Sequence, residues 1–104
     1  MSPARGEVWL YERPDRMSRP VLVLTRPEAI DTLSRILVVP ATRSVRDIPT
    51  HVHLDESDGM REPCALALDN TFAARKALLT TRIAELGPQK MNEVCQALRM
   101  AAAC

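Results

Sequence analysis

The sequence predicts a small, mainly β domain, a barrel of about five to seven short strands with a short inserted helix and a C-terminal amphipathic helix. Three observations favour this fold class: short apolar runs rich in Val, Leu and Ile, turn residues between them, and a long stretch of helical periodicity only at the end of the chain. The chain has 104 residues, 46% of them hydrophobic, which is enough for one core. No repeat or linker divides it, so residues 1–104 are expected to form a single domain.

The first predicted strand spans residues 5–12, where polar and apolar residues alternate. Alternation puts Val8 and Trp9 on opposite sides of the strand, and we expect one side to face water. Residues 13–18 carry proline and charges, which predicts a loop.

Two buried strands are predicted next, at residues 21–25, bounded by Pro20, and at residues 36–42, because both runs are short and rich in branched side chains. Between them, Pro27 suits the first position of a helix and is followed by apolar residues at helical spacing. Residues 27–34 are therefore expected to form a short helix or turn.

The remaining strands are predicted at residues 50–55, 64–69 and 80–86 from their apolar content and alternation. In the first of these, Val52 and Leu54 are expected on the core face. An Asp-Gly pair at residues 58–59, between the strands predicted at 50–55 and 64–69, indicates a turn.

The last element is an amphipathic helix from Pro88 to about residue 103. Its expected apolar stripe consists of Met91, Val94, Cys95, Leu98 and Ala102. Residues 73–79 contain helix formers without a capping residue, so their pattern leaves helix and strand both open.

The charge pattern limits how the chain binds a polyanion. Formal net charge is only +1, so nucleic-acid binding requires a local patch. Twelve of the 14 basic residues are arginine, which favours planar, bidentate contact with phosphates. A genome rich in G and C explains the same bias equally well.

Side chains that bind metals or form disulfides are few and poorly spaced. Cys64, Cys95 and Cys104 share no CxxC spacing, so we expect reduced thiols and no zinc site. His51 and His53 share one face of a strand and are able to bind a metal or transfer protons, but no third ligand follows at a recognisable spacing. We therefore expect no metal and no cofactor.

Motifs of other function classes are missing from the sequence. It contains no P-loop, dinucleotide-binding fingerprint or serine-hydrolase motif. It also contains no signal peptide and no apolar run of membrane-spanning length, so a cytoplasmic protein without a membrane partner is expected.

Two polar residues stand at the ends of neighbouring predicted strands. Arg19 precedes the second strand and Thr42 ends the third, so the two side chains share a pocket if those strands pair. Arginine stabilises anions and is a poor general base. The loops beside this pocket bring three more candidate contacts, Arg16, Arg43 and Ser44, although a charge-rich loop is commonly just solvated.

Several short blocks carry a further signal. They are RGEVW at 5–9, RPVLVL at 19–24, VPAT at 39–42, PTHV at 49–52, ALALDN at 65–70 and RIAEL at 82–86. In this order and spacing they resemble the MazF/PemK family of toxin endoribonucleases, and the resemblance covers nearly the whole chain.

The resemblance implies an SH3-like barrel, a homodimer, metal-independent cleavage of single-stranded RNA and neutralisation by a cognate MazE-like antitoxin. It assigns the family's catalytic arginine to Arg19 and its catalytic threonine to Thr42, and RNA contacts to Asp69 and Asn70. It also implies attack by the substrate's own 2′-OH, which leaves a 2′,3′-cyclic phosphate and a 5′-OH.

The chain departs from the family pattern near Arg19. The preceding loop is short and lacks the family's glutamate, so the general base is open between Asp15, Glu12 and a 2′-OH activated without a dedicated base. Asn70 replaces the usual glutamine and Phe72 stands where many relatives have arginine, and both changes bear on which bases are read.

Two competing hypotheses accompany the ribonuclease. A CcdB-type toxin has the same fold and poisons gyrase by binding alone, but such toxins lack the arginine and threonine pair. In a purely structural interpretation, Arg19 forms a salt bridge with Glu7 or Glu12, and Thr42 simply ends a strand.

Overall fold

The computed structural model describes residues 2–103, which form seven strands, two α helices and three short 3-10 turns. The strands are β1 (Glu7–Tyr11), β2 (Arg19–Val23), β3 (Arg35–Thr42), β4 (His51–Leu54), β5 (Cys64–Ala67), β6 (Phe72–Arg75) and β7 (Leu79–Glu85). The helices are α1 (Pro27–Ile30) and α2 (Pro88–Ala102), and the 3-10 turns are Glu56–Asp58, Leu68–Asn70 and Lys76–Leu78.

All strand pairs are antiparallel, in the order β4-β5-β3-β2-β1-β7, with β6 also paired to β3. Strand β3 is central because its first half pairs with β6 and its last two residues pair with β5. The predicted mainly β fold with a terminal helix is confirmed. The sheet is not closed, however, since β4 and β7 at the two ends of this order form no ladder with each other within residues 2–103.

Buried side chains form two clusters. One contains Val8, Leu22 and Leu66 and is covered by α2 through the buried Val94. The other contains Trp9 and its neighbours on the central strands. Each fully buried aliphatic or aromatic side chain contributes about 1.5–3 kcal/mol, so both clusters matter to stability.

The expectation that β1 is half exposed was wrong. Val8 is 0% exposed and Trp9, on the opposite face, is 3% exposed. The physical reason is the position of β1 between β2 and β7, where each face packs against a different cluster.

Helix α2 packs on the first cluster through a stripe close to the predicted one. Val94 is buried, and Met91 and Leu98 pack against the cluster, as expected. Ala97, which was not predicted, is also buried, whereas Ala102 is exposed and Cys95 is half-buried. No helix within residues 2–103 is long and apolar enough to cross a membrane.

The segment left open between helix and strand forms β6 and a 3-10 turn. Ala74, in the middle of β6, is fully buried opposite Ile36 of β3, so tertiary pairing overrides local helix propensity. Helix α1 confirms the short helix expected after Pro27. At the predicted Asp-Gly turn, Gly59 has a φ of +93°, which favours glycine.

Candidate active site

Strand register brings Arg19 and Thr42 together. Val21 of β2 pairs with Pro40 of β3, and the same register extended by two residues places Arg19 opposite Thr42. Residues two apart along a strand share a face, so both side chains lie on the side of Val21 and Pro40. The two strands are therefore neighbours, as the sequence hypothesis requires.

An open cavity of about 330 Å³ lies beside this pair. Five of the predicted site residues line it, namely Arg19, Thr42, Ser44, Asp69 and Asn70. Strand β5 borders the cavity with Ala67, which has a small side chain. This volume lies in the range of small ligand sites, and the cavity is open to solvent.

The guanidinium of Arg19 forms no ion pair within residues 2–103. The carboxylate of Glu7 instead binds Arg82, with Nε and Oε2 2.8 Å apart. The carboxylate of Glu12 accepts hydrogen bonds from Thr80 and Ser18. Both proposed salt-bridge partners are therefore engaged elsewhere, which counts against the purely structural role for Arg19.

The hydroxyl of Thr42 is oriented by the loop that follows it. Its Oγ1 accepts the backbone N–H of Ser44 at 3.1 Å. Because the oxygen is used as an acceptor, the O–H proton is available to donate to a ligand in the cavity.

Asp69 is held by Thr50, the residue that precedes β4. The hydroxyl of Thr50 donates to Oδ2 of Asp69 at 2.6 Å, and the backbone N–H of Leu68 donates to the Thr50 carbonyl at 3.0 Å. One carboxylate oxygen is thus held, while the other accepts no hydrogen bond from the part of the chain that the structure describes. Asn70 follows in the same 3-10 turn, where its amide lines the cavity.

Two predicted contacts lie outside the cavity lining. Arg43 forms an ion pair with Glu62, with Nε and Oε2 3.3 Å apart, and both side chains are largely exposed. Arg16 is exposed in the loop before β2. Phe72 packs against Tyr11, with ring centroids 5.6 Å apart, and so belongs largely to the second cluster.

Besides Pro40 and Ala67, three residues that sequence reasoning did not assign to the site line the cavity: Arg46, Ile48 and His51. Arg46 and Ile48 belong to the loop between β3 and β4, and His51 is the first residue of β4. The sequence feature that indicated a role for this loop was its position directly after Thr42. The bend that brings β4 to the cavity depends on β5, which is distant in sequence.

Neither a reactive thiol at Cys64 nor a cluster of metal ligands is found in the described chain. Burial raises the pKa of the Cys64 thiol, with the carboxylates of Asp58 and Glu62 adding to the effect, so this thiol stays protonated at neutral pH. Within residues 2–103, no three His, Cys, Asp or Glu side chains are grouped closely enough to hold a metal ion.

Known proteins with similar sequences are toxins and endoribonucleases. The family model described as PemK-like, MazF-like toxin of type II toxin-antitoxin system matches residues 4–101. The chain is 39% identical over 103 residues to the probable endoribonuclease MazF5 of Mycobacterium tuberculosis, covering 98% of this chain and 94% of that protein.

Solved structures give the same result. The Mycobacterium tuberculosis toxin MazF-mt6 superposes with a TM-score of 0.85 at 27% identity, covering 93% of this chain and 96% of that one. An endoribonuclease in complex with its cognate antitoxin, from a mycobacterial species, superposes with a TM-score of 0.87 at 25% identity, covering 98% and 96%. Taken with the paired Arg19 and Thr42, these similarities establish that the chain belongs to the PemK-like, MazF-like toxins of type II toxin-antitoxin systems.

Proposed function

We propose that this protein is a toxin endoribonuclease that cleaves single-stranded RNA at the cavity beside Arg19 and Thr42. The observation that carries the proposal is an arginine without an ion-pair partner in the described chain, facing a threonine hydroxyl across two paired strands. The membership of the chain in the PemK-like, MazF-like toxins supports it. The gyrase-binding alternative is not favoured, because it gives this pair no role.

The chemistry uses the substrate as its own nucleophile. The 2′-OH attacks the adjacent phosphorus, the bond from phosphorus to O5′ breaks, and the products carry a 2′,3′-cyclic phosphate and a 5′-OH. Arg19 donates two N–H groups to the non-bridging oxygens of the phosphorane, and Thr42 donates its O–H. Holding the 2′-oxygen in line with the leaving oxygen supplies the rest of the rate enhancement.

The hydrogen bonds of Glu12 reduce the number of candidates for the general base. Both of its carboxylate oxygens accept hydrogen bonds from hydroxyl groups, so both are already engaged as acceptors in the described chain. Asp15, or a 2′-OH that ionises without a dedicated base, are the candidates that we retain.

Contacts to the rest of the RNA come from both sides of the cavity. Ser44, Asp69 and Asn70 lie in its wall. Arg16 and Arg43 lie in flanking loops and bind phosphates farther along the RNA. The ion pair of Arg43 with Glu62 is exposed and therefore weak, so an RNA phosphate replaces it at little cost.

The proposed protein partners are a second copy of the chain and a MazE-like antitoxin that neutralises the toxin. The antitoxin is supported by the family, whose members belong to type II toxin-antitoxin systems. The homodimer is implied by the resemblance to the family, and Met100 on α2, a large apolar side chain that is 62% exposed, is a candidate for its interface. Light scattering at micromolar concentration is expected to give about 23 kDa, twice the chain mass of 11.6 kDa. A mass of one chain at all concentrations would contradict the dimer.

Incubation of the purified protein with a long single-stranded RNA in excess EDTA tests the ribonuclease proposal. We expect discrete fragments whose 5′ ends carry hydroxyl groups and whose 3′ ends carry cyclic phosphates, because no bound metal enters the chemistry. Double-stranded RNA of the same sequence serves as the control and is expected to stay intact. Intact single-stranded RNA, across a set of transcripts that contains every short sequence, would refute the proposal.

A further inference from the structure

We infer that His51 reads a base of the RNA, donating a hydrogen bond from Nε2–H beside the carboxylate of Asp69. The inference rests on the proposed ribonuclease function and adds a specificity-determining residue to it. His51 is half-buried and lines the cavity that contains Arg19 and Thr42.

The tautomer of His51 follows from its contact with the preceding loop. Nδ1 accepts the backbone N–H of Arg46 at 3.4 Å. Because a backbone N–H only donates, Nδ1 carries no proton in this arrangement, and the proton of the neutral ring is on Nε2. No acceptor for Nε2 is present within residues 2–103. The ring therefore offers an unused donor.

An acceptor lines the same cavity as His51. His51 pairs with Ala67 across β4 and β5, and Asp69 lies two residues beyond Ala67. Thr50 precedes His51 and donates to Oδ2 of Asp69 at 2.6 Å, and within residues 2–103 no group donates to Oδ1. One wall of the cavity thus presents a donor and an acceptor on adjacent segments.

A nucleobase matches this pair and a phosphate does not. Base edges carry donors and acceptors side by side, so a donor and an acceptor in the protein form a two-point contact that distinguishes one base from another. A phosphate has only acceptor oxygens and a negative charge, and the carboxylate of Asp69 repels it. The phosphate is accommodated instead by Arg19 at the other side of the cavity.

His53 is a matched control on the same strand. Its Nε2 contacts the carbonyl of Arg46 at 3.0 Å, so it holds the same loop, but it does not line the cavity. Loss of the His53 side chain perturbs the loop without removing the proposed donor.

The test compares wild type with His51→Asn, His51→Gln and His53→Asn. Asparagine keeps an acceptor near the place of Nδ1 but has no group that reaches the place of Nε2, whereas the amide N–H of glutamine reaches it. Each protein is incubated with RNA oligonucleotides that differ from a cleaved sequence by one base at each position. We expect His51→Asn to reduce the preference at one position by about tenfold or more, the scale of a two-point base contact. We expect His51→Gln and His53→Asn to keep the preference.

Other outcomes would contradict either the role of His51 alone or the ribonuclease proposal as well. Unchanged preference in His51→Asn, or the same loss in His53→Asn, would overturn the role of His51 and leave the ribonuclease proposal standing. If thermal unfolding shows that His51→Asn is not folded, His51→Leu takes its place and has to show the same loss at the same position. A wild type that cleaves none of the RNAs would overturn the ribonuclease proposal, and this inference with it.

Discussion

Replacement of Arg19 by alanine is expected to reduce RNA cleavage by at least about 10²–10³-fold, because that is the usual effect of removing one donor to a developing oxyanion and Arg19 supplies two. Arg19→Lys is expected to fail as well, since an ammonium group does not span two phosphate oxygens as a guanidinium does. The measurement is the initial rate on a single oligonucleotide, with protein in excess. Full activity in Arg19→Ala would show that the arginine has been given the wrong role.

Folding is expected to be unaffected in these variants. Arg19 has no ion-pair partner within residues 2–103, so its loss should change the free energy of unfolding by no more than about 0.5 kcal/mol. Arg26→Ala is a matched control, because Arg26 is exposed, pairs only weakly with Glu28 at 3.9 Å and lies outside the cavity lining. Unfolding of Arg19→Ala under conditions where Arg26→Ala stays folded would support the structural role instead.

A substrate lacking the 2′-OH at the scissile nucleotide is expected to bind normally and to resist cleavage completely. The mechanism supplies no other nucleophile, because Arg19 and Thr42 stabilise charge and do not generate an attacking group. An otherwise identical RNA with one 2′-deoxy nucleotide tests this in EDTA. The measurements are product yield after long incubation and affinity by fluorescence anisotropy.

The matched control for this experiment carries the 2′-deoxy nucleotide one position away from the scissile bond. Cleavage of the control should proceed near the normal rate, which separates loss of the nucleophile from altered sugar conformation. Cleavage at the modified position, or a requirement for Mg²⁺, would show that water or a metal-bound hydroxide attacks.

The parts of the fold that were predictable from sequence depend on local patterns. Strands β2 and β3 are short runs of branched side chains, and α2 has a clear helical period, so both types of element were found at nearly their observed positions. Packing on both faces of β1 was not predictable, because alternation within one strand carries no information about which distant residues cover its second face.

The candidate site also contains some residues that local sequence patterns predict and others that they do not. Arg19 and Thr42 stand at the ends of consecutive strands, and only their pairing had to be assumed. His51 enters the cavity because β5 pairs with the last residues of β3 on one side and with β4 on the other. That arrangement joins segments far apart in sequence, and no local spacing indicates it. The roles assigned to these residues stay predictions until the variants are measured.

The loop between β3 and β4 has an evolutionary consequence. Residues 43–49 are all exposed, yet Ser44, Arg46 and Ile48 line the cavity. Substitutions at exposed positions usually change stability by less than about 0.5 kcal/mol. Mutations in this segment therefore escape the selection that preserves the core, and successive exchanges can reshape the lining of the cavity while the protein still folds as before.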